Sequence, residues 1–145
     1  MMAAIAESRD LSVLVTRAED IEGEWISHCL ELDVMSQGDS IAQALAGIAE
    51  AIAMAVEDDL SHGLDPFSRR RAPDEYWHQM DAVIATGRPV QELSDWSMVR
   101  ALVTQFTLRI RRSFDGRELE PPMPVPEAWQ IAAFENMRSS DSLHS

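Results

Sequence analysis

The side chains most able to do chemistry here are carboxylates. Asp20, Glu22 and Glu24 crowd one short connection, and Glu31, Asp33 and Asp39 follow within the next stretch. Such a set can bind divalent ions for hydrolysis, or it can attract a basic partner. These acids fall in turns and strand ends, and none is expected inside the first strand, where a metal-binding aspartate of a nuclease sheet would sit. That placement favours charge recognition, or a plain solvated acidic rim, over metal chemistry. His28 and Cys29 are adjacent, so in a strand they point to opposite faces and form no local dyad. His62, His78 and His144 have no metal-ligand spacing with each other or with Cys29. There is no nucleophile elbow and no glycine-rich phosphate loop. Arg69, Arg70 and Arg71 stand among proline, serine and aspartate and read as an exposed loop able to meet an anion or an acidic partner. No catalytic residue, cofactor or metal is assigned, and a non-enzymatic role is expected.

Composition narrows the partners. The 145 residues carry a net charge of −13, with no lysine and every formal cation an arginine. Residues 1–66 account for −12 and residues 67–145 for −1. General binding to nucleic acid is disfavoured, because phosphate affinity needs clustered cations. An acidic first half instead suits a basic protein partner. One cysteine excludes an internal disulfide framework and fits a reducing cytoplasm, the expected location. The first ten residues lack the basic and apolar regions of a secretory signal, and no apolar run is long enough for a membrane span.

The elements that must position these groups follow from pattern. Residues 1–10 read as a loose lead-in. Leu11–Ala18 and Gly23–Leu30 read as two strands joined by the acidic connection, hence a hairpin. In the second, Trp25, Ser27 and Cys29 share one face and Ile26, His28 and Leu30 the other. Leu14 makes both faces of the first strand partly apolar. A short strand, Val34–Gln37, leads into the strongest helix of the chain, through Leu60. Ile41, Leu45, Ile48, Ile52 and Val56 form its apolar stripe, and Ser40 with Gln43 forms a capping box. Gly38 is expected to supply a positive φ at the strand-to-helix turn. A second stripe of small residues, Ala42, Ala46, Ala49 and Ala53, predicts a close neighbour: the second helix, the last helix or another copy.

Beyond residue 60 a loop leads to a second helix from Pro73 to about Thr86. The fourth strand, Ala101–Arg112, places Leu102, Phe106, Leu108 and Ile110 on one face and the more polar Val103, Gln105, Thr107, Arg109 and Arg111 on the other. Asp115-Gly116 is a turn signal. Pro121, Pro122, Pro124 and Pro126 bridge to an expected last helix near Glu127–Arg138, whose Trp129, Phe134 and Met137 suggest a homo-oligomer. The reading is therefore α+β: a small antiparallel β-sheet in β-β-β-α order with a later fourth strand, its helices packed on one face. Residues 1–112 form the domain, with an inserted loop and helix at about 61–99, and residues 113–145 form the bridge and last helix.

Trp25–Leu32, followed by Ser36–Ser40 and Ala44–Ile52, resembles the HicB antitoxin family. The residues that carry the resemblance are Trp25, Glu31, Leu32, Ser36, Gly38, Asp39, Ala44, Leu45, Ile48 and Ala51, and it covers about residues 11–60. Cys29-Leu30 stands where that family often has a proline. The resemblance implies a partial RNase H-like sheet with a helix on it, and a protein that binds and occludes a small basic HicA-type ribonuclease toxin. Asp20, Glu22 and Glu24 would offer the charge complementarity. Family members usually also bind their operator through a C-terminal segment. Residues 113–145 are neither strongly basic nor long enough for a clear helix-turn-helix, so direct DNA binding is not expected. The rival readings are an orphan regulatory or structural domain of the same fold and a metal-dependent nuclease.

Overall fold

A computed structural model describes residues 4–113, 116–120, 122–124 and 131–134. In chain order the elements are β1 (Ala4–Arg17), β2 (Trp25–Cys29), β3 (Val34–Gly38), α1 (Ile41–Ser61), α2 (Asp74–Thr86), β4 (Arg88–Pro89), β5 (Val99–Ser113), β6 (Gly116–Leu119), β7 (Met123–Pro124) and β8 (Ile131–Phe134). The sheet runs β3-β2-β1-β5-β8-β4, with β6 and β7 also on β5, and every described pairing is antiparallel. The α+β class and the order of three strands, a helix and a later strand are as the sequence predicts; the place of that later strand beside the first comes from the structure.

The first strand is longer than its pattern suggests. It pairs with β5 from Ala4 opposite Arg112 to Thr16 opposite Ala101, with an irregularity between Ile5 and Glu7. Residues 4–10 are therefore strand and not lead-in. Their polar run lacks alternation, but the long edge of β5 supplies backbone partners that local pattern cannot reveal. The far edge of β5 is filled in tandem by β6, β7 and β8. Pro122 precedes β7 and Pro124 lies within it, opposite Phe106, and neither can donate a ladder hydrogen bond. The last helix expected at Glu127–Arg138 is corrected at Ile131–Phe134, which is β8 and pairs with Val99–Val103. A short Ile-Ala-Ala-Phe run suits either state, and the open strand edge decides it. The rest of that span, including Trp129 and Met137, lies outside the described residues, as does Asp115.

The helices do not share a face, which corrects the single-layer expectation. Leu11, Val13, Val15, Trp25, Cys29, Leu102, Phe106, Leu108 and Ile110 meet Ala44, Ile48, Ile52 and Val56 of α1. Leu14, Leu30, Ala101 and Val103 point the other way and meet Ala72, Met80 and Val83, the last two on α2. Strand alternation forces this split once Leu14 and Val103 need cover. The neighbour expected along the small-residue stripe of α1 is thus not α2. Ala42 and Ala46 are exposed.

The entry to α1 follows its sequence signals with one change. The Ser40 hydroxyl accepts the Gln43 N–H at 3.1 Å, and the Gln43 side chain accepts the Asp39 N–H at 2.9 Å. Gly38 does not take a positive φ. Its lack of a side chain matters for another reason: a Cβ there would lie 2.7 Å from Gln43 Cβ and 2.8 Å from the Ala44 nitrogen. The strand end and the first helical turn can touch only because position 38 is bare. Gly47, one turn on, is packed in the same way against the Ser36 side chain.

Candidate functional site

The β1–β2 connection carries the predicted charge. Gly23 takes φ +81°, the left-handed conformation this tight turn requires, and the Ala18 N–H donates to the Glu24 carbonyl at 2.9 Å. Asp20 and Glu22 are exposed and Glu24 is half-buried. Trp25 pairs with Gly38, so Asp39 and the start of α1 lie at this same end of the sheet. Across from them, Arg17 donates to the Ser97 carbonyl at 2.8 Å, which brings the loop before β5 alongside. That guanidinium also lies 5.1 Å from the ring of Trp25, covering it.

Sequence reasoning missed the apolar half of this end. Ile21, Trp96 and Met98 remain 54%, 40% and 38% exposed although they are large hydrophobic side chains. Ile21 stands between Asp20 and Glu22 in the chain, and Trp96 and Met98 adjoin Ser97, whose carbonyl ties their loop to Arg17 at this end of the sheet. Exposed apolar side chains with charged neighbours, here mostly acidic, form the composition of a protein-docking surface. Ile21 within an acidic turn was the available signal; Trp96 could be placed there only through the Arg17 contact.

The remaining motif residues hold the fold around this end and do not converge on it. Trp25 is buried in the α1 core. Ser36 packs on Gly47, and Asp39 lends its backbone to the helix cap. Glu31 lies beyond the end of β2, where the Ser12 carbonyl accepts the Leu30 N–H but the Ser12 N–H meets a side chain in place of a strand carbonyl. Its carboxylate accepts the Ser12 N–H at 2.7 Å and the Ser12 hydroxyl at 2.9 Å. Burial pushes the Glu31 carboxyl above its ordinary value, while the Ser12 hydrogen bonds and the charge of Arg71 act against that rise.

Beside it, His28 is 3% exposed, and its Nε2 lies 2.7 Å from Asp33 Oδ1. The edge of the ring pair formed with Tyr76 completes its surroundings, at 4.7 Å between centroids. Nδ1 has no partner among the described residues. Asp33 sits at φ +52°, so this bond spans a turn held in a left-handed conformation. The pair is five residues apart across a turn, a spacing no helix or strand period marks. Cys29 lies on the opposite face, as alternation requires, and burial pushes its thiol up to about 12.

The arginine run is largely engaged. Arg69 pairs with Asp59 at 3.1 Å and reaches the Leu32 carbonyl, and Arg71 stacks 4.2 Å over the Trp77 ring. Asp10 corrects the acid-free reading of the first strand: it lies mid-strand because β1 begins earlier than expected, and its carboxylate accepts the Thr107 hydroxyl at 2.8 Å. Among the described residues, no three His, Cys, Asp or Glu side chains are grouped to hold a metal ion, and no helix is long and apolar enough to cross a membrane.

No protein-family model matches the chain, and no curated protein or solved structure is significantly similar to it.

Proposed function

We propose that this chain is a HicB-like protein-interaction module, an antitoxin that binds and neutralises a small basic ribonuclease toxin of the HicA type. The observation that carries the reading is the acidic hairpin end, Asp20, Glu22 and Glu24, with the exposed Ile21 among them and the exposed Trp96 and Met98 in the loop that Arg17 holds at the same end of the sheet. The carboxylates would steer a cationic partner, and the apolar side chains would lose water on contact. The order of three strands, a capped helix and a later strand adjoining the first supports the same family. The module is also proposed to self-associate, through exposed apolar side chains such as Met54 on the outer side of α1.

The test is binding to a small basic protein encoded beside this one, followed by calorimetry and a ribonuclease inhibition assay. Asp20→Asn, Glu22→Gln and Glu24→Gln together should weaken binding by about tenfold or more, chiefly through slower association, and the loss should shrink in high salt. If no neighbouring basic protein binds, the antitoxin reading fails and the orphan regulatory domain replaces it.

A further inference from the structure

We infer that the outer edge of β3 is a docking edge for an extended, basic segment of a partner protein, which joins the sheet as a further strand. The inference rests on the reading above only for who the partner is. β3 is the terminal strand on its side of the sheet, and among the described residues nothing pairs with it beyond β2. Alternate residues of such a strand turn both N–H and C=O away from the sheet, a template for another strand.

The two ends of the sheet differ in how they are protected. The opposite end finishes in β4, two residues long and ending in Pro89, which cannot extend a ladder. β3 runs from Val34 to Gly38 with no proline, no cation and an unbroken register against β2. Its outward side chains are Met35, 52% exposed, and the exposed Gln37. An incoming strand would lay apolar side chains beside Met35 without displacing anything described.

Charge selects the occupant. Asp33 and Asp39 bracket β3, and both are exposed, Asp33 with one carboxylate oxygen held by His28 and the other left for a cation. Gly47 faces Ser36, so helical spacing puts Glu50 and Asp58 on the same flank of α1. Of the cations near the turn, Arg69 already serves Asp59 and the Leu32 carbonyl, and Arg71 lies over the Trp77 ring. A second copy of this chain fits poorly: antiparallel self-pairing centred on Ser36 would set Asp33 against Asp39 at both ends, and like charges directly opposite destabilise a ladder. A segment with Lys or Arg at those positions and apolar residues between them meets both the aspartates and Met35.

The experiment uses the full chain, labelled for amide-resolved hydrogen exchange. One short peptide carries lysines at both ends with alternating valine and threonine between; its analogue carries glutamates at the ends. The basic peptide should slow exchange of outward amides within residues 34–38, and the acidic analogue should not. Met35→Lys with Gln37→Lys, both at exposed positions, should leave the circular dichroism spectrum unchanged and weaken the basic peptide by about tenfold. Equal binding of the two peptides, or protection outside β3, overturns the inference. So does full protection of the outward β3 amides in the peptide-free protein, which would mean that a second copy or the chain's own terminal segment already covers them. The triple variant at Asp20, Glu22 and Glu24 separates the two readings, since it should leave peptide binding within about threefold. Toxin bound with the β3 amides still fast removes the edge and spares the antitoxin. Peptide bound with no toxin recognised does the reverse.

Discussion

On the α1 face, Val13, Val15, Ile48, Ile52 and Val56 meet with no residual exposure, while on the α2 face Leu14 and Leu30 share their layer with buried His28 and Ser12. The first face is aliphatic along most of the sheet. The second is apolar only under α2, and towards Asp10, Thr107 and Arg109 it becomes polar and open. One helix of 21 residues covers the first face; one of 13 covers part of the second. The contrast separates tasks. The α1 face buries the larger apolar cluster, and hydrogen bonds on the α2 face tie the β2–β3 turn to β1 and β2.

Truncations can break that contrast. Ile52→Ala should lower unfolding free energy by about 4 kcal/mol in urea titration, because a fully buried branched side chain leaves a cavity in a layer that cannot collapse. Met80→Ala on α2 should lower it by about 2 kcal/mol, since a flexible side chain in a smaller cluster is replaced more easily. Equal losses at the two sites would show that the faces carry similar weight.

The polar face can be sharpened by pH. The Glu31 carboxyl is raised in the folded state, so the folded protein holds its proton more tightly than the unfolded chain does. Glu31 therefore contributes stability at low pH, and that contribution is lost as pH rises from its ordinary value near 4.5 through the raised folded value. Glu31→Gln should remove this decline, visible as a flatter slope of unfolding free energy above pH 4.5, while changing stability at neutral pH by less than about 2 kcal/mol. A slope unchanged by the substitution would assign the pH dependence elsewhere. The smallest effect belongs to Cys29. With its thiol pushed up to about 12 by burial, it should resist alkylation at neutral pH in the folded protein and react readily in denaturant.

The elements on either side of this division were legible, unevenly, but the assignment of the two helices to opposite faces was not. The stripe and cap of α1 read directly because Ile48, Ile52 and Val56 repeat at helical spacing and Ser40 precedes them. The two faces of β2 and β5 also followed from alternation. The first half of β1 did not, because its Glu7–Asp10 run has no period and is strand only through β5. The placement of α2 on the second face went unread, although Leu14, apolar on that face, was a signal that it needed cover. β8 escaped because an edge far away in sequence decides its state. At the candidate site the acids were visible in the sequence, whereas Trp96 and Met98 join them only through tertiary contact. The His28–Asp33 bond depends on a turn conformation that no residue period encodes.

The pairing of β1 with β5 has a consequence for the chain during its own synthesis. Ser12 waits for Gln105, and Val15 for Leu102. At ordinary elongation rates of roughly 5–20 residues per second, that wait lasts about 5 to 20 seconds. Meanwhile β1, β2, β3 and α1 can assemble as a half-sheet whose central strand is temporarily a border. Arg9 and Asp10, which spoil the alternation of β1, lie on that border, and charges there discourage nascent chains on one messenger from joining each other.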